Sequence, residues 1–390
     1  MQSVFLVFAV CAFAAGFALR VVDPLILPIA QQFSVAPALA ALLSTAYALP
    51  YAVSQPFLGP LGDRFGKVRC MQVCIVGLAA ALALATFAPT FELLMASRIG
   101  AGIFAGGLTP LVLAGLGDAY PEVQERQVMI GRMLFAIITG QMLGSTVAGF
   151  ANVTFGWRSA MGIAAATAAL ATVLVWVVVA RSERAPPPPP HGHVPFRALY
   201  GRVFDNPKAV WLYGAVVFEG ILIFGLFPYI GQMLIERTGS SLEAAPGQAG
   251  LVLGAFGIGG LAYAFSVRRV ITLLGVRRMC IVGSVASACA FAVLVLLRVW
   301  WLAALAMMVV GIAYYMLHNS LQTVATEIAP SARGSAVALF ACGFFAGQAI
   351  GPLLFGALVH SVGFAAALLA SFAGLIALGQ VVVRKVIVAA

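Results

Sequence analysis

The sequence predicts an all-α membrane protein of twelve transmembrane helices, arranged as two six-helix bundles related by a pseudo-twofold axis. Composition, a set of long apolar stretches and an internal repeat carry that expectation. The 390 residues are 63% hydrophobic and 9% charged, which leaves too little polar surface for a soluble domain. Stretches long enough to span a bilayer, about 20 residues each, lie near 4–30, 38–58, 71–88, 93–117, 128–151, 158–180, 209–235, 247–267, 279–297, 300–325, 335–358 and 363–383. From Arg126, RQVMIGRMLFAIITGQMLGSTVAGF aligns without a gap to RGSAVALFACGFFAGQAIGPLLFGA from Arg333, an offset of 207. That offset pairs Gly140, Gln141, Gly144 and Gly149 with Gly347, Gln348, Gly351 and Gly356, and Gly156-Trp157 with Gly363-Phe364. Upstream the offset becomes 209, so Gly102, Asp118 and Pro121 fall on Gly311, Glu327 and Pro330. Two homologous apolar halves imply a repeat-built transporter with its site between them.

The expected units are an N-terminal bundle over 1–180, a cytoplasmic linker over 181–208 and a C-terminal bundle over 209–390. The first apolar stretch is too long for a cleaved signal peptide and lacks a basic flank, so it is expected to remain as the first span. Loops on one side carry Arg64, Lys67 and Arg69, then Arg268, Arg269, Arg277 and Arg278, then Arg384 and Lys385, whereas the other side offers Arg158, Arg237 and Arg298. The positive-inside rule places both termini in the cytoplasm of a bacterial-type inner membrane. The net charge of +10 follows from this topology, and no nucleic-acid partner is needed to explain it.

Glycines and prolines inside the spans are expected to let helices approach closely, and Pro24, Pro28, Pro50, Pro110, Pro228 and Pro352 to kink them or be tolerated. In the linker, five consecutive prolines after Ala185 favour an extended spacer. Beyond them Phe196, Leu199, Val203 and Phe204 recur at helical spacing opposite Arg197 and Arg202, which predicts a short amphipathic helix on the membrane surface. Six cysteines lie in or at the ends of apolar spans and form no CxxC pair; His191 and His193 in the linker are read as solvated. No metal and no cofactor are expected, and nothing points to an enzyme: there is no Walker loop and no zinc spacing, and the G-x-G strings fall in apolar helices.

Between spans two and three the chain reads Gly59-Pro-Leu-Gly-Asp63-Arg64-Phe-Gly66-Lys67-Val-Arg69, and span four carries Arg98-Ile-Gly100-Ala-Gly102. These resemble the G-x-L-x-D-R-x-G-R/K and R-x-x-x-G motifs of the major facilitator superfamily, closest to its drug:proton antiporter branch. The resemblance covers nearly the whole chain and implies a cavity lined by spans one, four, seven and ten. In the loop motif, Gly59 and Gly66 would permit a tight turn. Asp63 would sit by the free N–H groups at the start of span eleven and latch the cytoplasmic side, with Arg64, Lys67, Asp118 and Arg126 as the other gating candidates. The second-half loop keeps four arginines and no acid, so the latch should be one-sided. The branch's G-x-x-x-G-P-x-x-G-G pattern is broken in span five, where Ser145 and Ala148 replace Pro and Gly; the better copy is Gly347 to Gly356.

Ionisable residues deep in lipid are costly and mark functional sites. There are five: Arg20 and Asp23 in span one, Arg98 in span four, Glu219 in span seven and His318 in span ten. Asp23 and Arg98 match in depth, so Asp23 is a proton-carrier candidate beside Arg98, or else the two form a permanent ion pair. Arg20, one turn below, could pair with Asp23 instead or receive an anionic substrate. Glu219, unpaired, would be protonated and suit a proton or cation site. His318 heads a polar stripe with Asn319 and Gln322. Tyr47, Tyr51, Gln55, Gln141, Tyr263, Tyr314, Tyr315 and Gln348 offer aromatic and amide contacts. The expected function is proton-driven efflux of small amphiphilic or cationic compounds by a monomer in the lipid bilayer. The alternatives are proton-coupled movement of an organic anion and, more remotely, a membrane sensor or scaffold.

Overall fold

The computed structural model describes residues 2–120, 122–181, 201, 203–329 and 333–387, leaving out some side chains near the basic face, including Asp63, Asp118, Arg126 and Arg333. Among them are ten helical stretches long and apolar enough to cross a membrane. Two are too long for one crossing: Ala245–Leu296 and Gly334–Ile387 hold 52 and 54 residues, about 80 Å of helix at 1.5 Å per residue. Each doubles back at one glycine with positive φ, Gly275 (φ 67°) and Gly363 (φ 81°). A residue with a Cβ is strained in that conformation. Counting each doubled stretch as two gives the twelve spans expected.

In chain order, span one is Gln2–Arg20 continued by Asp23–Leu25 and Ile26–Gln32. Spans two to six are Pro37–Phe65, Lys67–Thr86, Phe91–Ala119, Val123–Phe155 and Trp157–Arg181. Span seven is Lys208–Phe224 continued by Phe227–Tyr229 and Ile230–Thr238. Spans eight and nine are 245–274 and 276–296, span ten is Trp300–Glu327, and spans eleven and twelve are 333–362 and 364–387. The linker helix expected over 196–204 lies outside the described residues at 196–200 and 202; Gly201, Val203 and Phe204 are described and helical.

The repeat is visible as repeated packing. Gly66, between spans two and three, and Gly275, between eight and nine, share the 209 offset and a positive φ; Gly156 and Gly363 share the 207 offset and the same property. A Cβ on Gly102 would meet the Tyr47 backbone, and one on Gly311 would meet the Phe256 backbone, residues again 209 apart. Gly144 would put a Cβ 2.5 Å from the Phe17 carbonyl oxygen, closing span five on span one; Gly351 would put one 2.7 Å from the Gly225 Cα, closing span eleven on span seven. The glycines thus let backbones approach where lipid gives helices no hydrophobic drive to associate. Both halves also break their first helix at a proline. A 3₁₀ turn, Asp23–Leu25 with Pro24, interrupts span one, and another, Phe227–Tyr229 with Pro228, interrupts span seven.

Between halves, span five packs on span eight and span two on span eleven. The face carrying the Gly66 and Gly275 turns is the basic face. Toward the opposite face the halves are tied: Thr45 Oγ1 donates to the Ala349 carbonyl (2.8 Å), Thr146 Oγ1 donates to the Gly250 carbonyl (3.2 Å), and a Cβ on Gly149 would lie 2.5 Å from the Pro246 carbonyl oxygen. Nearer the midplane Tyr51 meets Phe345 with ring centroids 4.1 Å apart.

Because these approaches are backbone to backbone, Gly144→Val and Gly351→Val should each destabilise the protein by about 1–3 kcal/mol, the usual cost of overpacking. Gly214→Ala, where a Cβ meets nothing within 4 Å, should be neutral. Unfolding in detergent micelles checks this; equal behaviour of all three variants would contradict the packing role.

Candidate functional site

The break in span one makes the first charged cluster. Arg20 ends the helix Gln2–Arg20 and Asp23 begins the 3₁₀ turn that follows, so the two side chains flank the break, three residues apart. Both are buried. Arg20 Nη1 lies 3.4 Å from Asp23 Oδ2, and Ser44 Oγ donates to Asp23 Oδ1 at 2.7 Å. Arg20 also crosses to the other half: Nη2 donates to Gln348 Oε1 at 2.6 Å, and its Cζ stands 4.3 Å from the Phe224 ring centroid and 5.0 Å from that of Phe227. Pro24 and Pro228 are 204 apart, and at that offset Arg20 corresponds to Phe224 and Asp23 to Phe227. Repeat-equivalent residues in contact lie at the axis relating the halves. There the first half presents a charge pair and the second an aromatic pair.

Arg98 does not pair with Asp23, contrary to one sequence expectation; Arg20, the other candidate, takes that place. Arg98, fully buried, donates from Nε to the Leu43 carbonyl (3.3 Å) and from Nη1 to the Ala18 carbonyl (2.9 Å), and lies 4.4 Å over the Tyr47 ring. Ala18 stands in the last turn before the break, where carbonyls lack intrahelical donors, and this supplies Arg98 with acceptors. Tyr47 in turn donates to the Ala15 carbonyl at 3.1 Å. Arg98 therefore joins spans one, two and four, and its Nη2 has no partner among the described residues. Two arginines and one aspartate give this cluster a formal charge of +1.

The second cluster corrects the reading of Glu219 as unpaired. Its carboxylate is fully buried, with Oε2 2.8 Å from His318 Nδ1, so spans seven and ten share a carboxylate–imidazole pair. Glu219 Oε1 is buried without a partner among the described residues. The imidazole packs against Phe344 (4.6 Å between centroids), Tyr314 (5.1 Å) and Phe340 (5.2 Å). Phe224 meets both Phe344 (5.5 Å) and Tyr314 (5.2 Å) edge-on. One aromatic layer thus stands between the Arg20 guanidinium and the Glu219–His318 pair.

The remaining expected residues divide. Gln141 lines a small cavity on one side of Arg20, with Ser145, Phe227 and Tyr315, and Gln348 lines another on the other side, with Ser44 and Phe224. These glutamines are the repeat equivalents paired by the 207 offset. Tyr51 shares a 2.7 Å hydrogen bond with Thr109, and Asn319 Nδ2 donates to Tyr263 Oη at 2.8 Å. Gln322 is exposed and joins neither cluster. Gly59 lies inside the helix Pro37–Phe65 rather than in a turn, because span two continues to Phe65 and the chain reverses at Gly66 alone. Arg64 is exposed over the Phe65 ring, and Lys67 opens span three. The side chains of Asp63, Asp118 and Arg126 lie outside the described residues. Among the described residues no group of three or more His, Cys, Asp or Glu side chains could hold a metal ion.

Comparison with known proteins agrees with this architecture. The Major Facilitator Superfamily profile matches residues 8–246 and 233–387. An uncharacterized MFS-type transporter of Bacillus subtilis, YceJ, is 24% identical over 363 residues, covering 93% of this chain and 90% of that protein. The methylenomycin A resistance protein of Streptomyces coelicolor is 29% identical over 219 residues, 53% of this chain and 46% of that protein. The crystal structure of the nucleoside transporter NupG superposes with a TM-score of 0.77 at 14% identity, over 99% of this chain and 100% of that one. Twelve spans, a repeat realised in packing and a profile match over most of the chain place it in one family: the protein belongs to the Major Facilitator Superfamily and is a multi-pass membrane transporter, not an enzyme.

Proposed function

We propose that this transporter exports small amphiphilic or cationic organic compounds in exchange for protons. Two bundles, 1–180 and 209–390, would rock about the central site while residues 181–208 tether them, and the basic face would lie in the cytoplasm of an inner membrane. The observation that carries the reading is the Glu219–His318 pair, buried between spans seven and ten with one carboxylate oxygen unpartnered among the described residues. Holding one proton, as Glu⁻/His⁺ or as GluH/His, the pair is neutral; without it, it bears a buried negative charge. That charge calls for a cation, either the returning proton or a cationic substrate against the aromatic layer. The names of relatives support efflux as the direction: one is a methylenomycin A resistance protein, another a multidrug efflux pump of Mycolicibacterium smegmatis that is 31% identical over 118 residues.

Asp23, also a coupling candidate by sequence, is less suited to carry the proton. Protonating it would leave Arg20 and Arg98 uncompensated in a dry site, whereas protonating Glu219 removes a charge. We therefore assign coupling to Glu219 and charge balance to Asp23. The positive excess of the first cluster favours the second reading, in which the cargo carries an anionic group.

In everted proteoliposomes with an acid interior, ethidium accumulation should fall at least tenfold in Glu219→Gln, about 1.4 kcal/mol or more. Downhill ethidium flux in that variant should no longer vary with pH. Gradient-driven accumulation at the wild-type rate would remove the coupling role of Glu219. Asp23→Asn strands Arg20, so its main effect should be on stability, a loss of about 3–5 kcal/mol. Arg20→Gln combined with Asp23→Asn should recover part of that loss. A stable Asp23→Asn protein with uncoupled transport would return the proton to Asp23.

A further inference from the structure

The cavity beside Arg20 has the features of a binding subsite that no sequence motif marks. It lies between the halves and is lined by Arg20, Asp23, Ser44, Phe224, Gln348 and Pro352. Asp23 is turned to its own partners, one oxygen toward Ser44 and the other toward Arg20. Gln348 is 4% exposed, and its orientation is set by the 2.6 Å bond from Arg20 Nη2: Oε1 must accept from the guanidinium, so Nε2 points elsewhere. That Nε2 is buried and has no partner among the described residues. A buried amide donor left unpaired costs about 1–3 kcal/mol, and here it is left beside a guanidinium whose five N–H donors exceed its two side-chain acceptors. The surrounding charges, Arg20 and Arg98 against Asp23, sum to +1. Spare donors and spare positive charge converge where the halves meet.

We propose that this cavity binds an anionic oxygen group, a carboxylate, of the transported molecule, held by Arg20 and by Gln348 Nε2. The inference rests on the reading of the inter-half space as the transport site, and it deepens that reading by naming a substrate class. Across one aromatic layer, Phe224 with Phe344 and Tyr314, stands the Glu219–His318 pair, which takes the opposite charge. A molecule that reached both would place its apolar body where the Phe224, Phe344 and Tyr314 rings now pack, with an anion at one end and a cation at the other. The class is therefore zwitterionic amphiphiles. Binding would also loosen the closure: a carboxylate competing for Arg20 Nη2 displaces Gln348, one of the ties that hold the face opposite the basic one shut.

The test uses the purified full chain in nanodiscs and three probes with one body: benzoate, benzylamine and 4-(aminomethyl)benzoate, with benzamide as the uncharged control. Calorimetry should show benzoate binding that benzamide lacks, and tighter binding of the zwitterion than of either single-charge probe. Gln348→Glu places a carboxylate against Arg20 and so should keep the melting temperature while weakening benzoate binding at least tenfold, with benzylamine unaffected. Glu219→Gln should leave benzoate binding intact even where it abolishes gradient-driven transport, so failure of the subsite and failure of proton coupling read out separately. Nitrate, which matches a carboxylate in charge and shape, distinguishes the sources of anion by its relative affinity: weaker binding of nitrate than of benzoate supports a substrate carboxylate, whereas nitrate binding as tightly as benzoate would put a free inorganic anion there and overturn the zwitterionic class. Equal binding of benzoate and benzamide, or undiminished benzoate binding by folded Gln348→Glu protein, would overturn the subsite itself.

Discussion

A charge enclosed in a bilayer-spanning bundle must be met by an opposite charge or by fixed dipoles, and this requirement organises the centre of the protein. Five of the described ionisable side chains, Arg20, Asp23, Arg98, Glu219 and His318, lie deep in the spans, and they are met in three ways. Arg20 and Asp23 answer one another across a broken helix, with Gln348 and Ser44 completing them; Arg98 is held by two carbonyls and a tyrosine ring; Glu219 and His318 share a hydrogen bond. The break in span one makes the first two solutions feasible, because it offers unpaired backbone groups at membrane depth, where an unbroken helix offers none. Its counterpart in span seven carries phenylalanines at the same places, and one guanidinium can therefore lie over both rings and join the halves at their axis.

Rocking of the halves, as proposed, must exchange the contacts of span five with span eight and of span two with span eleven. Glycines bring helices to backbone contact within each half, and Gly149 and Gly250 do the same between spans five and eight. Between halves, the ties include the Arg20–Gln348 bond, two threonine-to-carbonyl bonds and aromatic contacts such as Tyr51 with Phe345. Exchanging those hydrogen bonds for bonds to water or substrate costs little per bond, so the closure can be undone by a ligand with matching groups. Coupling requires that protonation of the second cluster bias that equilibrium. Phe224 lies against Arg20 and packs on Phe344 and Tyr314, which pack on His318, so the three rings together connect the two clusters.

The sequence made the architecture legible to a considerable depth. The 207 and 209 offsets placed glycines that do the same job in both halves, and Pro24 and Pro228 marked where the helices break. The two doubled-back stretches were legible as separate spans because charged residues flank Gly275 and a repeat-related Gly-aromatic pair marks Gly363. The site was legible in its members but not in its pairings. Which arginine meets Asp23 depends on the rotation of span four against span one, and Ala18 and Leu43 contribute carbonyls that carry no side-chain signature. Glu219 and His318 are 99 residues apart, and nothing local reveals that spans seven and ten face each other at that depth. Gln322, one turn from His318 by sequence, is exposed and lies outside both clusters.

In the proposed division of labour, the first cluster keeps a fixed charge and the second holds the exchangeable proton. Infrared difference spectroscopy across a pH step separates the two roles, because a protonated carboxyl absorbs apart from a carboxylate. A protonated-carboxyl band should appear on acidification, persist in Asp23→Asn and be absent in Glu219→Gln. A band that vanishes in Asp23→Asn and survives in Glu219→Gln would contradict that division.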